Sequence, residues 1–503
     1  MSIEIETFIC PICHDLLLEP VLASDGIVYN DQCIKRHIEG KQYPKSPITR
    51  NAILKTFQPV RLIKTIIIEL INRSDILDQW SKELTIEQLN SYSLNVLDDL
   101  LNVTKLPVQY KNYIYGRKLK QIICENKSSE EKIMNYLNSH SNDDRICDYV
   151  DESGTNTFAY CCENRLSRVA IELLHYESFD HNIILLPSES SLLMIACTQQ
   201  LVDVALELLK KPNINYNHVA KNGNNALIIA CDKDLEKIAI EMLDNRPDID
   251  YNHAGEIGWS ALLVSCYIGG EQTAHKLLEK PNIQYNHTGG FKNTSSLIQA
   301  CKNRMNGVAL KLLAFSDIHY NYIDGDDRCA LSVACSNGME EVVAELLKRP
   351  DIMYNHVDKD GDSPLMLACE IKNENIALQL LDQPGIDYNR YNNKGQNALD
   401  KAIDNKMENV IIKIISFPDY QFSDKETSLL IESCKNKMER VALKLLDLKG
   451  VDQNLDAYSF VNAKNESAMA CAYNNGMIDV SEKILDHCME GWLKNKKMKI
   501  SNE

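Results

Sequence analysis

Residues 358–389 read DKDGDSPLMLACEIKNENIALQLLDQPGIDYN, and this stretch predicts one complete structural unit. Asp360-Gly361 is a turn pair, Ser363 can cap a helix, and Pro364 suits the first helical position, where no backbone N–H is needed. A second helix follows, with apolar residues spaced at i, i+3 and i+4, until Pro384-Gly385 ends it. The unit is therefore two short helices joined to an extended turn.

The same unit returns along the chain at intervals of 34 or 35 residues, marked by a small residue followed by cysteine. The clearest markers are Ala196-Cys197, Ala230-Cys231, Ser265-Cys266, Ala300-Cys301, Ala334-Cys335 and Ala368-Cys369. Weaker copies at Cys161-Cys162, Ala402-Ile403, Ser433-Cys434 and Ala472-Tyr473 bring the total to about ten units. Helices this short are unstable alone, so each unit must bury its apolar face against its neighbours. We therefore predict a mainly α protein whose largest part is an α-solenoid.

Two recurring side chains of the unit, cysteine and histidine, could suggest a metal or redox site. We interpret the recurring Cys as a small buried hydrophobic residue and the thiols as reduced. The histidines are His218, His253, His287 and His356. Equivalent atoms of stacked units lie about 10 Å apart, whereas metal–nitrogen bonds are about 2 Å long, so one ion cannot bridge the series. We predict that these histidines make contacts between hairpins.

The repeats resemble ankyrin repeats, because Ser363-Pro364-Leu365-Met366-Leu367-Ala368 is similar to the helix-opening Thr-Pro-Leu-His-x-Ala of that family. The resemblance implies a protein-binding surface formed by hairpin tips and one helix face, with no chemistry of its own. Degenerate repeats of this kind, rich in Asn and Ile, also resemble those of large DNA viruses or protists.

The amino-terminal stretch FICPICHDLLLEP, residues 8–20, does not follow the repeat and contains half of a zinc-binding pattern. Candidate zinc ligands are Cys10, Cys13, Cys33 and His37. A RING domain would close its second site with Cys-Pro-x-Cys, but this chain has Ser46-Pro47-Ile48-Thr49, and hydroxyls are poor zinc ligands beside thiolates. The alternative is a zinc-dependent, RING-like module that uses the four candidate ligands.

Residues 8–71 instead resemble a U-box, which keeps the RING shape without metal. The matching segments are Phe8-Ile-Cys-Pro-Ile12, Asp15-Leu16-Leu17, Glu19-Pro20-Val21, Asp25-Gly26-Ile27-Val28-Tyr29, Ile34-Lys-Arg-His-Ile38, Ser46-Pro-Ile-Thr-Arg50 and Ile63 to Ile71. The resemblance implies a small α+β domain that needs no cofactor. It also implies a docking surface for a ubiquitin-conjugating enzyme, formed by Ile12, His14, His37 and Pro47.

Arg50 follows the second loop, where ligases of this kind often carry an arginine that hydrogen-bonds both the conjugating enzyme and its ubiquitin. The resemblance implies that Arg50 is the catalytic residue. Its guanidinium would orient the thioester, with no covalent intermediate on the ligase.

The predicted order of domains is a U-box domain over residues 1–75, a helical connector and cap over 76–150, the ankyrin array over 151–490, and a basic tail over 491–503. In the connector, we expect one apolar face at Leu94, Leu97, Leu100 and Leu101, and a degraded repeat helix at Ile133, Tyr136 and Leu137. The combination predicts a ubiquitin-protein ligase, or transferase, that captures a protein substrate on its repeats. The alternative is a non-enzymatic scaffold or sequestering protein with an inactive U-box.

Charge and hydropathy limit the partners and the compartment. The formal net charge is −17 and the pI about 5.3, which argues against a nucleic-acid partner. No apolar run is long enough to cross a membrane, and MSIEIETF lacks the pattern of a secretory signal. We expect a soluble protein that acts in the cytoplasm, which would be the host cytoplasm if the source is viral.

Overall fold

The computed structural model describes residues 20–22, 28–39, 47, 58–59, 97, 100–101, 108–125, 129–139 and 149–501, except for 152, 178, 291, 419, 421–423 and 449–466. The chain divides into two compact units, Met1–Lys221 and Asn222–Glu503, which are described separately.

The first unit begins with a small antiparallel sheet and one helix. Its elements are β1 (Pro20–Leu22), β2 (Val28–Asn30), α1 (Asp31–Ile38) and β3 (Gln58–Pro59). Strand β1 lies in the centre, with Val21 opposite Tyr29 on one side and Pro59 on the other. Tyr29 and Ile34 are fully buried where α1 packs against β2. The segment Ile34–Ile38, one of those that resemble a U-box, lies within α1.

Two further helices precede the repeats, α2 (Val108–Glu125) and α3 (Glu130–Ser139). Helix α2 packs against the first helix of the first repeat, and α3 against the second helix. Ile133 and Leu137 of α3 are fully buried in this contact region, whereas Tyr136 is half-buried. Leu97 and Leu100 are helical and buried, and Leu94 lies outside the described residues. Helices α2 and α3 therefore stack on the first repeat as another helix pair would. The boundaries of the connector stay a prediction.

Two repeats complete the first unit. Their elements are α4 (Thr157–Glu163), α5 (Ser167–Leu173), β4 (Ile184–Leu185), β5 (Ser190–Ser191), α6 (Leu192–Thr198) and α7 (Val202–Leu209). Helix α4 packs beside α6, and α5 beside α7, so first helices form one layer and second helices another.

The second unit continues the same pattern in eight helix pairs of its described part. The first four pairs are α8 (Ala226–Asp232) with α9 (Glu236–Asn245), α10 (Ala261–Ile268) with α11 (Glu271–Leu277), α12 (Ser296–Lys302) with α13 (Asn306–Leu313), and α14 (Ala330–Ser336) with α15 (Glu340–Leu347). The last four are α16 (Pro364–Glu370) with α17 (Glu374–Leu381), α18 (Ala398–Asp404) with α19 (Glu408–Ile415), α20 (Asp424–Lys435) with α21 (Glu439–Leu446), and α22 (Ala468–Asn474) with α23 (Ile478–Ser501). A hairpin of β6 (Thr288–Gly289) and β7 (Thr294–Ser295) precedes α12.

Local sequence explains where the first helices begin. At α16, the Ser363 side chain accepts a hydrogen bond from the backbone N–H of Met366 at 3.3 Å, and Pro364 occupies the first position. Gly361 has a φ of 78° in the preceding turn, where a Cβ would lie 3.1 Å from the Cα of Asn392. The predicted turn, cap and helix start are all observed.

In the core, the first helices bury small residues at the recurring Ala-Cys position beside their aliphatic residues, and the second helices bury mainly aliphatic residues. Ala334 and Cys335 of α14 are fully buried, as are Val342, Val343 and Leu346 of α15. Small side chains at the recurring Ala-Cys position let neighbouring helices approach closely. The predicted fold class, a mainly α repeat protein preceded by a small α+β domain, is confirmed.

The last pair differs from the others in two ways. Tyr473 stands where other repeats have the buried Cys, and it is 76% exposed. Helix α23 continues to Ser501, past the predicted boundary at residue 490. Ile478, Leu485 and Met489 of α23 are also exposed, as expected for a terminal repeat whose outer face has no further repeat packed on it in the described part of the chain.

Candidate functional site

Asparagine side chains fix the spacing of neighbouring hairpins. In the clearest case, Asn321 Nδ2 donates to the carbonyl of Asp351 at 2.8 Å, and its Oδ1 accepts from the N–H of Met353 at 3.3 Å. The same pair of bonds is made by Asn182, Asn252, Asn286 and Asn355. Each bond joins one repeat to the next, so the hairpin tips are held as a regular surface.

The histidine series makes contacts in the opposite direction. Nε2 of His218, His253 and His356 donates to a hairpin carbonyl of the preceding repeat at 2.7, 2.7 and 2.8 Å. His287 is the exception, since its Nδ1 is buried without a hydrogen-bond partner and burial lowers its pKa. The predicted hairpin contacts are confirmed for these three residues. No cluster of His, Cys, Asp or Glu suited to a metal ion occurs within the described ranges.

The recurring cysteines are buried free thiols. Burial raises the pKa of Cys231, Cys301 and Cys369 to about 12 in each case. Because the thiolate is the reactive form, these residues are inert at neutral pH. Their role is packing, as the sequence predicts.

The second unit carries exposed apolar side chains on α10 and the turn before it. We define the aromatic patch as Ile257, Trp259 and Tyr267. The Trp259 and Tyr267 rings meet edge to face with centroids 5.0 Å apart. Tyr267 is 52% exposed and Ile257 is 51% exposed, whereas Trp259 is partly covered. A Cβ at Gly290 would lie 2.7 Å from the Trp259 ring, so the next hairpin passes directly against the indole.

Four cations lie on the following repeats, and we define the cationic patch as Lys292, Arg328 and Lys359 of the hairpins and Lys302 at the end of α12. Asp326 accepts from Lys292 Nζ at 2.5 Å and from Arg328 Nη2 at 2.6 Å, and Lys359 Nζ lies 3.5 Å away. The hydrogen bond from Lys292 is the main cause that lowers the pKa of Asp326 to about 2.

The remaining contacts of the cationic patch are looser. Asp324 is fully buried, and its Oδ2 lies 4.0 Å from Lys302 Nζ and 3.9 Å from Arg328 Nε. Neither this oxygen nor Arg328 Nε has a hydrogen-bond partner. Burial, followed by the nearby positive charge of Arg328, lowers the pKa of Lys302. The cluster therefore carries donors that its own carboxylates do not satisfy.

Both patches escaped the sequence analysis, although one signal was available. Tyr267 and Lys302 each directly follow the recurring Cys, so an alignment of the repeats places them at equivalent positions. The same alignment places Trp259 and Arg328 at equivalent positions, immediately before a helix cap in different repeats, but it does not show that the four side chains share one surface.

The amino-terminal candidate residues are only partly described. His37 lies in the last turn of α1 and is half-buried beside the exposed Lys35 and Arg36. Pro47 is a half-buried turn residue. Ile12, His14 and Arg50 lie outside the described residues, as do Cys10 and Cys13, and Cys33 lies within α1.

Comparisons with protein families match both parts of the chain. A model of the U-box domain matches residues 5–72, and a model of ankyrin repeats (three copies) matches residues 297–392 and 331–422. The chain joins a U-box to ankyrin repeats. Both predicted resemblances are confirmed. In this U-box, the sheet β2-β1-β3 and helix α1 lie within the matched range.

The U-box ankyrin chain is also similar to one named protein, the "Probable bifunctional E2/E3 enzyme R795" of Acanthamoeba polyphaga mimivirus. The two are 31% identical over 78 residues, which is 16% of this chain and 6% of that protein. The chain thus spans a small fraction of that relative. No helix in the ranges that the structure describes has the length and apolar character needed to cross a bilayer.

Proposed function

We propose that the chain is a ubiquitin-protein ligase of the U-box type whose ankyrin repeats bind the protein to be modified. The observation that carries this proposal is the U-box match at residues 5–72 in the same chain as a long repeat array. The similarity to a protein named as an E2/E3 enzyme supports the same reaction class. We propose the cytoplasm as the place of action.

The U-box would act by positioning a charged ubiquitin-conjugating enzyme. Ile12, His14, His37 and Pro47 would contact the enzyme. The described part of the domain supports a fixed docking face, because Tyr29 and Ile34 are fully buried under α1 and His37 is partly exposed on it. A docking surface needs such a rigid support if it is to bind without a large entropy cost.

Arg50 would donate hydrogen bonds to both the conjugating enzyme and its ubiquitin, and so hold the thioester in a reactive pose. The substrate lysine then attacks the thioester carbonyl, and the thiol of the conjugating enzyme leaves. The ligase itself contributes no nucleophile, so none of its cysteines is assigned a chemical step.

The test is ubiquitin-chain synthesis by the purified full chain with a broad panel of conjugating enzymes. We expect activity to be lost in Ile12→Ala and Pro47→Ala. In Arg50→Ala it should fall about tenfold, the loss expected for one charged hydrogen bond. Pro44→Ala is the matched control, since it removes a nearby proline that the resemblance does not place on the docking face. If the parent chain is inactive with the whole panel, the result favours the alternative hypothesis of a non-enzymatic scaffold.

A second measurement addresses the metal question. Elemental analysis of the purified chain should find no stoichiometric zinc, and a chelator should leave its thermal unfolding unchanged. One zinc ion per chain that is required for folding would instead favour the RING-like alternative with Cys10, Cys13, Cys33 and His37 as ligands.

A further inference from the structure

We infer that the aromatic and cationic patches together bind an extended acidic segment of a partner protein, with an apolar side chain on the aromatic patch and carboxylates on the cationic patch. The inference rests on the proposed role of the repeats in protein binding and does not require ligase activity.

The two patches form one continuous surface, because backbone contacts join the first three of the four repeats that carry them, and Lys359 Nζ of the fourth donates to the carbonyl of Gly325. The N–H of Gly290 donates to the carbonyl of Ile257 at 2.9 Å, which links the first hairpin to the second. The N–H of Gly325 donates to the carbonyl of Lys292 at 2.6 Å, which links the second to the third. Asn303, next to Lys302, donates to the carbonyl of Tyr267 at 2.9 Å. Lys302 is thus adjacent to the aromatic patch.

The aromatic patch has the composition of a binding hot spot. Trp and Tyr supply large contact areas and lose little conformational entropy on binding, and they dominate the energetics of many interfaces. Here the Tyr267 ring is half exposed and is held in place by its edge-to-face contact with Trp259. Such a preformed, exposed apolar cluster suits one aliphatic or aromatic side chain of a partner.

The exposed charges of the cationic patch indicate which residues of a partner would bind beside the aromatic patch. The side chains of Lys292 and Lys359 are 59% and 55% exposed, whereas those of Asp326 and Asp324 are 21% and 0% exposed. Asp327 adds one exposed carboxylate on the same turn. Asp360 adds another next to Lys359, so the exposed positive charge is concentrated at Lys292 and the partly exposed Lys302, in a chain whose formal net charge is −17. A carboxylate of a partner would give Lys302 Nζ, which lies 4.0 Å from Asp324 Oδ2, a closer anionic partner and would stabilise its charged form.

The repeat spacing predicts the sequence pattern of the partner. Stacked helices lie about 8–10 Å apart, and an extended chain advances about 3.3 Å per residue, so each repeat corresponds to about three residues of ligand. An apolar anchor on Tyr267 would then be followed by acidic residues about three and six positions away, which would face Lys302 and Arg328.

The test is fluorescence anisotropy of the full chain with a labelled Gly/Ser peptide that carries one Leu followed by Asp at the third and sixth positions. We expect saturable binding that weakens with salt. It should weaken at least about tenfold in Tyr267→Ala and in Lys302→Glu, as for interface hot spots. Trp259→Ala should weaken binding similarly, but Tyr267 is more exposed, so Tyr267→Ala disturbs the fold less. Lys348→Glu replaces an exposed lysine that directly follows helix α15; it is the charge-matched control and should bind as the parent chain does.

Equal binding by the parent, Tyr267→Ala and Lys302→Glu would overturn the inference, as would no binding by the parent. Binding of only the phosphoserine version of the peptide, or of a single-stranded oligonucleotide in its place, would overturn the assignment to carboxylates. Chain synthesis measured in parallel separates the two proposals. Peptide binding by a chain that is inactive with every conjugating enzyme would leave this inference standing and remove the ligase function.

Discussion

Replacing Asp151 with Asn is expected to loosen the contact between helix α2 and the first repeat. The Asp151 carboxylate accepts hydrogen bonds from Lys120 Nζ at 2.5 Å, from the N–H groups of Ser153 and Thr155 at 2.9 and 3.0 Å, and from the hydroxyl of Tyr160. Lys120 belongs to α2 and Tyr160 to α4. This one carboxylate therefore joins two helices and a turn.

The stability lost in Asp151→Asn follows from the exposure of the Lys120 and Asp151 side chains and from the charge of their hydrogen bond. A hydrogen bond to a charged group contributes about 1.5–3 kcal/mol, and the side chains of Lys120 and Asp151 are 27% and 8% exposed. In Asp151→Asn, Oδ1 can still accept from the turn, and Lys120 can rotate partly into water. We therefore expect a loss of about 2 kcal/mol, which corresponds to a local opening of α2 that is roughly 30 times more frequent.

The dependence on pH gives an independent check. Burial alone would raise the pKa of Asp151, but hydrogen bonds from Lys120, Ser153 and Tyr160 outweigh it and hold the pKa well below the ordinary 3.8. A depressed pKa in the folded state means that the stabilisation is complete above pH 3.8 and is lost as the pH falls through the folded value. The difference between parent and variant should therefore be constant from pH 5 to 8 and shrink below pH 4.

Hydrogen–deuterium exchange of peptides from residues 108–125 and 157–163 is the assay. Faster exchange is expected in both peptides of Asp151→Asn, and unchanged exchange in Glu163→Gln, which alters an exposed acid of α4. Exchange in Asp151→Asn within twofold of the parent at pH 7 would refute the reasoning, because the network would then contribute less than one neutral hydrogen bond.

Three further predictions concern the repeats. Asn321→Ala removes two bonds between hairpins and should lower the free energy of unfolding by about 1–2 kcal/mol, measured by urea denaturation. Lys401 Nζ lies 2.9 Å from the carboxylate of Asp362, whose side chain is 7% exposed, so Lys401→Met leaves that carboxylate without its cation. The free energy of unfolding should fall by about 3 kcal/mol in the same assay. A decrease under 1 kcal/mol would contradict this. Iodoacetamide should modify the exposed Cys124 in the native chain but reach the buried Cys335 only after unfolding, as followed by mass spectrometry.

The fold could be predicted from the sequence because residues within each repeat specify its turn and its helix ends. Asp360-Gly361, Ser363 and Pro364 specify the turn, the cap and the helix start within five residues, and all three are observed. The repeat pattern likewise identified the buried Ala-Cys positions, whereas the place of α1 followed from the U-box resemblance. The extent of α23 was missed, since the basic residues after residue 490 resemble a solvated end as much as a continuing helix.

The amino-terminal site was predictable as a family resemblance through short motifs, and the roles of Ile12, His14, His37, Pro47 and Arg50 stay predictions. The sequence by itself determined the repeat unit, its period and the small residues that let units stack, because these depend on contacts within one repeat or on a side chain's size. Only the tertiary structure decided that Trp259, Tyr267, Lys302 and Arg328 share one surface. The physical reason is that residues far apart in sequence become neighbours when repeats stack, and which exposed side chains then adjoin depends on the lateral hydrogen bonds between hairpins.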